Sequence, residues 1–387
     1  MALMTPRERV LSAANRSCPD RVPLDLGSHP NGSMHVEAYE RLKQLLGVQA
    51  ETRLMHRWMQ VAVIDEEVLT ALDIDTRCVP LGRRDVALEH DIDCRTYVDQ
   101  WGVVRHKPEG ASYYELQRSP LAGEITTSDI IHHPWPDPHD PGITRGLRER
   151  AMRMRQSTRF ALILTLPSPF VHGTQFIRGF QDWYIDCVRA PLLAATLFDA
   201  VLEINLALTK DILREVGDLI DVVVVADDLG AQDRLIVSPS TYRKLIKPRQ
   251  ARYLREIHWL TSAKVLYHSC GSVFDILNDL AEIGVDILHP IQMSAAKMEA
   301  DVLKTCVGDR IAFWGGIDSQ HVLPFGSVSD VEREVKCRIQ DLGAGGGYVL
   351  SPTHNIQTEV PPENVCALYR AAKEYGGYKP ESLGAPA

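Results

Sequence analysis

Positive charge is in short supply in this sequence: 42 Lys and Arg stand against 51 Asp and Glu, for a net charge of −9. A nucleic-acid binder would carry a basic patch, so nucleic acid is not an expected partner. No CxxC pair occurs, and the eight cysteines are scattered from Cys18 to Cys366. That spacing excludes a disulfide framework and suits a compartment that keeps thiols reduced. No apolar run reads as long enough to cross a bilayer, and the start of the chain lacks the apolar core of a signal peptide. The expectation is a cytoplasmic protein with no membrane partner. Also missing are a GxGxxG turn after the first strand and a Walker A loop, which argues against dinucleotide and P-loop chemistry. There is no internal repeat.

What is present is an ordinary globular composition, 45% hydrophobic over 387 residues, enough for a sizeable core. Thr5-Pro6 with Glu8 reads as a capped helix start. The segment 20–27 reads as a first buried strand, followed by a helix over 35–46. A second strand is expected over 71–79. From about residue 160 the chain alternates. Strands are expected near 160, 221, 264, 285, 311 and 347, and helices over 193–216, 240–258, 272–282, 298–306, 328–342 and 362–375. Alternation of this kind means parallel strands with helical crossovers. Roughly eight strands make the expected fold an α/β (β/α)₈ TIM barrel, with an open doubly wound sheet as runner-up.

Residues 80–158 break the rhythm. The stretch 95–105 has β-branched and aromatic residues beside a glycine, and a return strand is expected near 113–116, which together predict an antiparallel hairpin. This region has too few apolar residues for its own core. It reads as an insertion after the second strand of a single domain spanning 1–387.

Barrel chemistry sits at the carboxyl ends of strands, and those ends are polar here. They deliver His29; Asp227 and Asp228; His268 and Cys270; His289 and Gln292; Asp318; and His354 with Asn355. In His268-Ser269-Cys270, residues i and i+2 point to one side of an extended chain. An imidazole and a thiolate there suit a zinc ion, and His354 offers a third ligand. Asp227 and Asp228 are candidate catalytic carboxylates, of which strand alternation turns only one toward the site. His29, His172, Gln292, Asp318 and Asn355 are candidate substrate-binding residues.

These strand ends resemble the uroporphyrinogen decarboxylase superfamily, and within it the cobalamin-dependent methyltransferase branch. The resemblance runs through Asp227-Asp228, Ser238-Pro239-Ser240, Lys247-Pro248, His268-Ser269-Cys270-Gly271, Pro290-Ile291-Gln292, Gly315-Gly316-Ile317-Asp318 and Pro361-Pro362-Glu363-Asn364. Decarboxylase members carry an Arg-rich segment near the N-terminus, and residues 22–31 here have none. Methyltransferase members bind zinc through His-x-Cys and a later Cys. Aligned on them, Leu350-Ser351-Pro352-Thr353-His354 puts a His where that Cys stands. One thiolate and two imidazoles leave a zinc site at about +1, against about 0 for two thiolates, so the metal would be the stronger Lewis acid.

The resemblance implies a zinc-dependent methyltransferase. It would move a methyl group between a small donor or acceptor and a corrinoid (cobalamin) on a partner protein, since no corrinoid-binding domain is visible in the sequence. A homodimer is compatible with this reading. The alternatives are a decarboxylase or lyase acting on a small carboxylate, and a non-catalytic binding homologue.

Overall fold

A computed structural model describes residues 3–378. At its centre a seven-stranded parallel sheet curls in strict chain order. The strands are β1 (Thr76–Cys78), β2 (Ala161–Thr165), β3 (Val222–Ala226), β4 (Lys264–His268), β5 (Ile287–His289), β6 (Ala312–Ile317) and β7 (Tyr348–Pro352). The two edges face a common segment. The Leu350 N–H donates to Pro23 O at 2.9 Å and the Asp25 N–H to Leu350 O at 3.0 Å, while the Asp75 N–H donates to Leu24 O at 2.9 Å. Residues 22–26 thus lie between β7 and the entry to β1, as a TIM-like barrel requires.

Side-chain alternation builds two cores from one sheet. Val222 and Val224 join an inner cluster with Ile163, Leu266, Ile287, Trp314 and Val349, while Val223 and Val225 face the outer helices. This is why β3 is apolar without interruption: both its faces are buried. Helix α1 (Pro6–Ala14) adds Val10, Ala13 and Ala14 to the inner cluster. It starts as the sequence predicts, with Thr5 and Glu8 in a reciprocal capping box; such a cap contributes about 1 kcal/mol. Below the strands, Arg9 and Arg21 both pair with Asp75, whose second role is to accept the Leu24 N–H at 2.8 Å.

Around the sheet run α2 (Val171–Arg178), α3 (Phe180–Arg189), α4 (Pro191–Val216), α5 (Lys247–Leu260), α6 (Val328–Gly343) and α7 (Pro362–Tyr375). Several sequence expectations change. The first strand, expected over 20–27, is present only as isolated bridges at Arg21 and Leu24, so the sheet has seven strands where roughly eight were expected. The helix expected over 240–258 is interrupted by a π-helical turn, Tyr242–Ile246, before α5 begins. Pro248 has no N–H to give the carbonyl four residues back, and a widened turn accommodates its ring. In addition, α4 is long and apolar enough, by length and composition, to cross a membrane, contrary to the sequence reading. Half of its most apolar stretch is buried inside the fold. Its Asp199, Glu203 and Lys210 pair with Arg249, Arg252 and Glu256 on α5, so α4 is a core helix.

Between β1 and β2 the chain forms a separate four-stranded antiparallel sheet: His90–Asp93, Thr96–Val98, Val104–His106 and Glu115–Arg118. Its buried Arg105 donates from Nε to Asp99 at 2.8 Å. The same guanidinium lies over Trp58 at 4.5 Å and over Phe176 of α2 at 4.4 Å, so cation–π contacts tie the sheet to the barrel.

Candidate metal centre

At the carboxyl end of β4 the chain leaves the sheet with His268, Ser269, Cys270 and Gly271. His268 and Cys270 fall on one side of the strand, with Cys270 Sγ 3.4 Å from His268 Nε2. Gly271 adopts φ +77°, and a Cβ there would come within 2.5 Å of Ala231 O. Only glycine makes this turn without strain. Across the barrel, β7 ends at Pro352 and delivers His354, whose ring is 5.6 Å from that of His268. The ligating atoms of His268, Cys270 and His354 all lie within 4.8 Å of one another. Among the described residues this is the one cluster of His, Cys, Asp or Glu able to hold a metal ion.

The electrostatics suit neutral imidazole donors. Burial pulls His268 down to about 3 and lowers His354 as well, so both rings offer a free lone pair at neutral pH. Burial and the nearby Asp228 carboxylate push the Cys270 thiol up; a bound cation would reverse that balance by stabilising the thiolate. One sulfur and two imidazoles are a donor set that fits zinc.

The two adjacent aspartates part company. Asp228 Oδ1 accepts the Cys270 N–H at 2.9 Å and lies 3.7 Å from His268 Nε2; its Oδ2 is 3.9 Å from His172 Nδ1. Burial opposes ionisation of Asp228, but His268, His172 and the Cys270 N–H outweigh it and hold the carboxyl below its ordinary value. Asp227 turns the other way. It accepts the N–H groups of His172 at 3.0 Å and Phe170 at 3.3 Å, at the start of α2, and the Gln250 amide at 3.4 Å. A carboxylate suits the positive end of a helix, although burial pushes Asp227 up to about 7.

The other candidates scatter. Gln292 accepts the Gly271 N–H at 2.8 Å and donates to Gln232 at 3.0 Å, so it clamps the strand end beside the cluster. Asp318 accepts the Gln320 and His321 N–H groups at 2.7 and 3.0 Å and is spent on its own turn. Asn355 is fully buried and donates to Tyr113 Oη at 3.5 Å. His29 is buried edge-on to His289, with ring centroids 4.8 Å apart. His172 sits against Trp58, stacked at 5.5 Å, and Phe176, edge-on at 4.8 Å.

Trp58 and Phe176 form an aromatic wall beside His172, with the Arg105 guanidinium over both rings; the sequence does not signal it, because it comes from three distant segments. His289 was legible only as a strand end; its ring reaches His268. A separate polar groove of about 710 Å³ lies between residues 94–114 and residues 358–359, and shares no residue with this cluster.

The fold and this cluster define a TIM-like barrel protein with a His/Cys/His cluster that could hold a metal ion at the carboxyl ends of its strands. The uroporphyrinogen decarboxylase (URO-D) family model matches residues 126–375, and the chain belongs to that family. It is 30% identical over 155 residues to a methylcobamide:CoM methyltransferase of Methanosarcina barkeri, covering 40% of this chain and 42% of that protein. It is 34% identical over 73 residues to a uroporphyrinogen decarboxylase of Sodalis glossinidius, covering 18% and 20%. The matched stretch thus spans less than half the length of these curated relatives. A solved methyltransferase from Methanosarcina mazei has the same fold, with TM-score 0.67 and 18% identity, over 96% of this chain and 99% of that one.

Proposed function

We propose that this chain is a zinc-dependent methyltransferase that moves a methyl group between a small substrate and a corrinoid carried by a partner protein. The observation that carries the reading is the convergence of His268, Cys270 and His354, with ligating atoms within 4.8 Å. The partial similarity to a methylcobamide:CoM methyltransferase supports it, as does the lack of arginine in residues 22–31, where the decarboxylase pattern has its Arg-rich segment.

In this reading His268, Cys270 and His354 hold the metal. Zinc there would supply Lewis acidity toward the heteroatom that gains or loses the methyl group. The protein's own groups do the rest. Asp228 fixes the Cys270 backbone through its N–H and presents negative charge to the imidazole edge of the site. His172, neutral and 3.9 Å from Asp228, can hold a proton at Nδ1 that the substrate heteroatom releases or needs. Trp58 and Phe176 flank His172 and keep water from its faces. Gln292 holds the Gly271 turn, and Asp227 pins the start of α2 so that His172 faces Asp228. His29 and Asn355 border the site from the first and last barrel segments and are substrate-binding candidates.

Metal analysis tests the proposal, comparing the purified protein with His268→Ala, Cys270→Ala and His354→Ala. About one zinc per chain, lost in all three variants, is the expected result for a three-ligand site. Methyl transfer dependent on added Co(I) corrinoid then separates this activity from decarboxylation. A zinc-free protein after zinc-replete growth overturns the reading. So does a His354→Ala variant with unchanged zinc content and activity.

A further inference from the structure

His268 has two ring nitrogens and both are engaged. Nε2 faces the cluster, 3.4 Å from Cys270 Sγ and 3.7 Å from Asp228 Oδ1. Nδ1 faces away and lies 2.7 Å from Nδ1 of His289, at the end of the neighbouring strand. The register explains the meeting, since His268 and His289 are paired residues of β4 and β5.

Hydrogen counting fixes what this contact means. A neutral imidazole has one N–H and one lone pair. Two nitrogens at 2.7 Å share one hydrogen, so one ring donates and the other accepts. To offer a lone pair at Nε2, His268 must carry its hydrogen on Nδ1. His289 must then accept at Nδ1 and carry its own hydrogen on Nε2. That Nε2 is buried and has no partner among the described residues. The His289 ring therefore makes one polar contact, and it is directed at His268.

Resting on the metal-site reading, we propose that His289 is a positioning residue: it holds His268 in the tautomer and ring orientation that present Nε2 to a metal ion. Ligating histidines commonly pass their second nitrogen to a carbonyl or carboxylate. Here another imidazole takes that place, and it is competent only in one of its two tautomers, so the pair is set together.

Three substitutions test this, read by zinc affinity in a chelator competition, by the visible spectrum of the Co²⁺-loaded protein, and by thermal unfolding of the metal-free protein. His289→Asn keeps an acceptor where Nδ1 stood. His289→Gln fills more of the volume but places its amide where Nε2 stood. His289→Ala removes both. We expect His289→Gln and His289→Ala to weaken zinc binding by about 10- to 100-fold and to shift the Co²⁺ spectrum, while His289→Asn stays close to the unsubstituted protein. If His289→Ala fails to fold, the Asn and Gln variants still decide the matter. Packing alone would produce the reverse order, with Gln better than Asn, and that result overturns the proposal. Equal zinc affinity in all variants also overturns it. If the unsubstituted protein binds neither zinc nor cobalt, the metal-site reading itself fails. Metal binding untouched by His289 substitution overturns the positioning role alone.

Discussion

Asp228 Oδ1 accepts the backbone N–H of Cys270 at 2.9 Å while standing 3.7 Å from His268 Nε2. One carboxylate therefore touches both halves of the His-x-Cys pair, through the backbone of one residue and toward the ring of the other. Its neighbour Asp227 is committed to the start of α2.

This division predicts different consequences for the two aspartates. Asp228→Ala should leave the protein folded and lower methyl transfer by about 10- to 100-fold, because the groups that orient a metal ligand carry effects of that size. Asp227→Ala should act first on stability, since it strips the acceptor from buried N–H groups at a helix start, at a cost of about 1–3 kcal/mol. Urea unfolding beside steady-state kinetics separates the two. An Asp228→Ala variant with full activity counts against its placement in the site.

Gly271 offers a sharper structural test. Its φ of +77° and the 2.5 Å approach to Ala231 O leave no room for a Cβ. Gly271→Ala combines left-handed strain of about 1–2 kcal/mol with overpacking of about 1–3 kcal/mol. The expected result is a destabilised protein with reduced zinc content, because the strained residue follows Cys270 directly. Zinc content and melting temperature report both effects; a variant unchanged in each shows that the turn relaxes freely.

A pH effect follows from Asp279, in the helix Leu277–Glu282. Its carboxylate accepts from Arg243 Nη2 at 2.9 Å and from Lys247 Nζ at 2.7 Å. Burial opposes ionisation, but these two cations outweigh it and lower the folded-state value. A carboxyl lowered on folding stabilises the protein above its unfolded value of about 3.9, and that contribution is lost as pH falls through the folded value. Arg243 is half exposed and rehydrates easily, so Asp279→Asn should cost only about 1 kcal/mol at neutral pH. The gap between variant and parent should begin to narrow below about pH 4 and go on narrowing as pH falls through the lowered folded value. Urea unfolding at a series of pH values from 7 down to 2 measures it; a gap that does not narrow at all below pH 4 refutes the assignment.

Much of this architecture is written in local signals. The capping box at Thr5 and Glu8 needs only residues three apart. The unbroken apolar run at Val222–Ala226 marks a strand buried on both faces, and its repetition with intervening helices marks a parallel sheet. His-x-Cys at a strand end is legible for the same reason, since a period of two places both side chains on one face. The π-helical turn before α5 had its signal too, in Pro248, but a proline does not say whether a helix will break, kink or widen. The sequence reading found no run long enough to cross a bilayer, yet α4 meets that length and apolarity; a core helix and a membrane helix share both until packing distinguishes them.

What tertiary structure alone decided lies between segments far apart in the chain. Residues 22–26 meet β7 only because the sheet curls until its edges face a common segment. Asp227 and Asp228 point opposite ways by alternation, yet which one faces His268 depends on where α2 starts. His172 stands against the rings of Trp58 and Phe176, over which Arg105 lies. His289 reaches His268 because neighbouring strands run in register and their rings leave the sheet at the same height. Sequence patterns record what repeats along one element; they carry no record of which atoms meet when separate elements close on a common point.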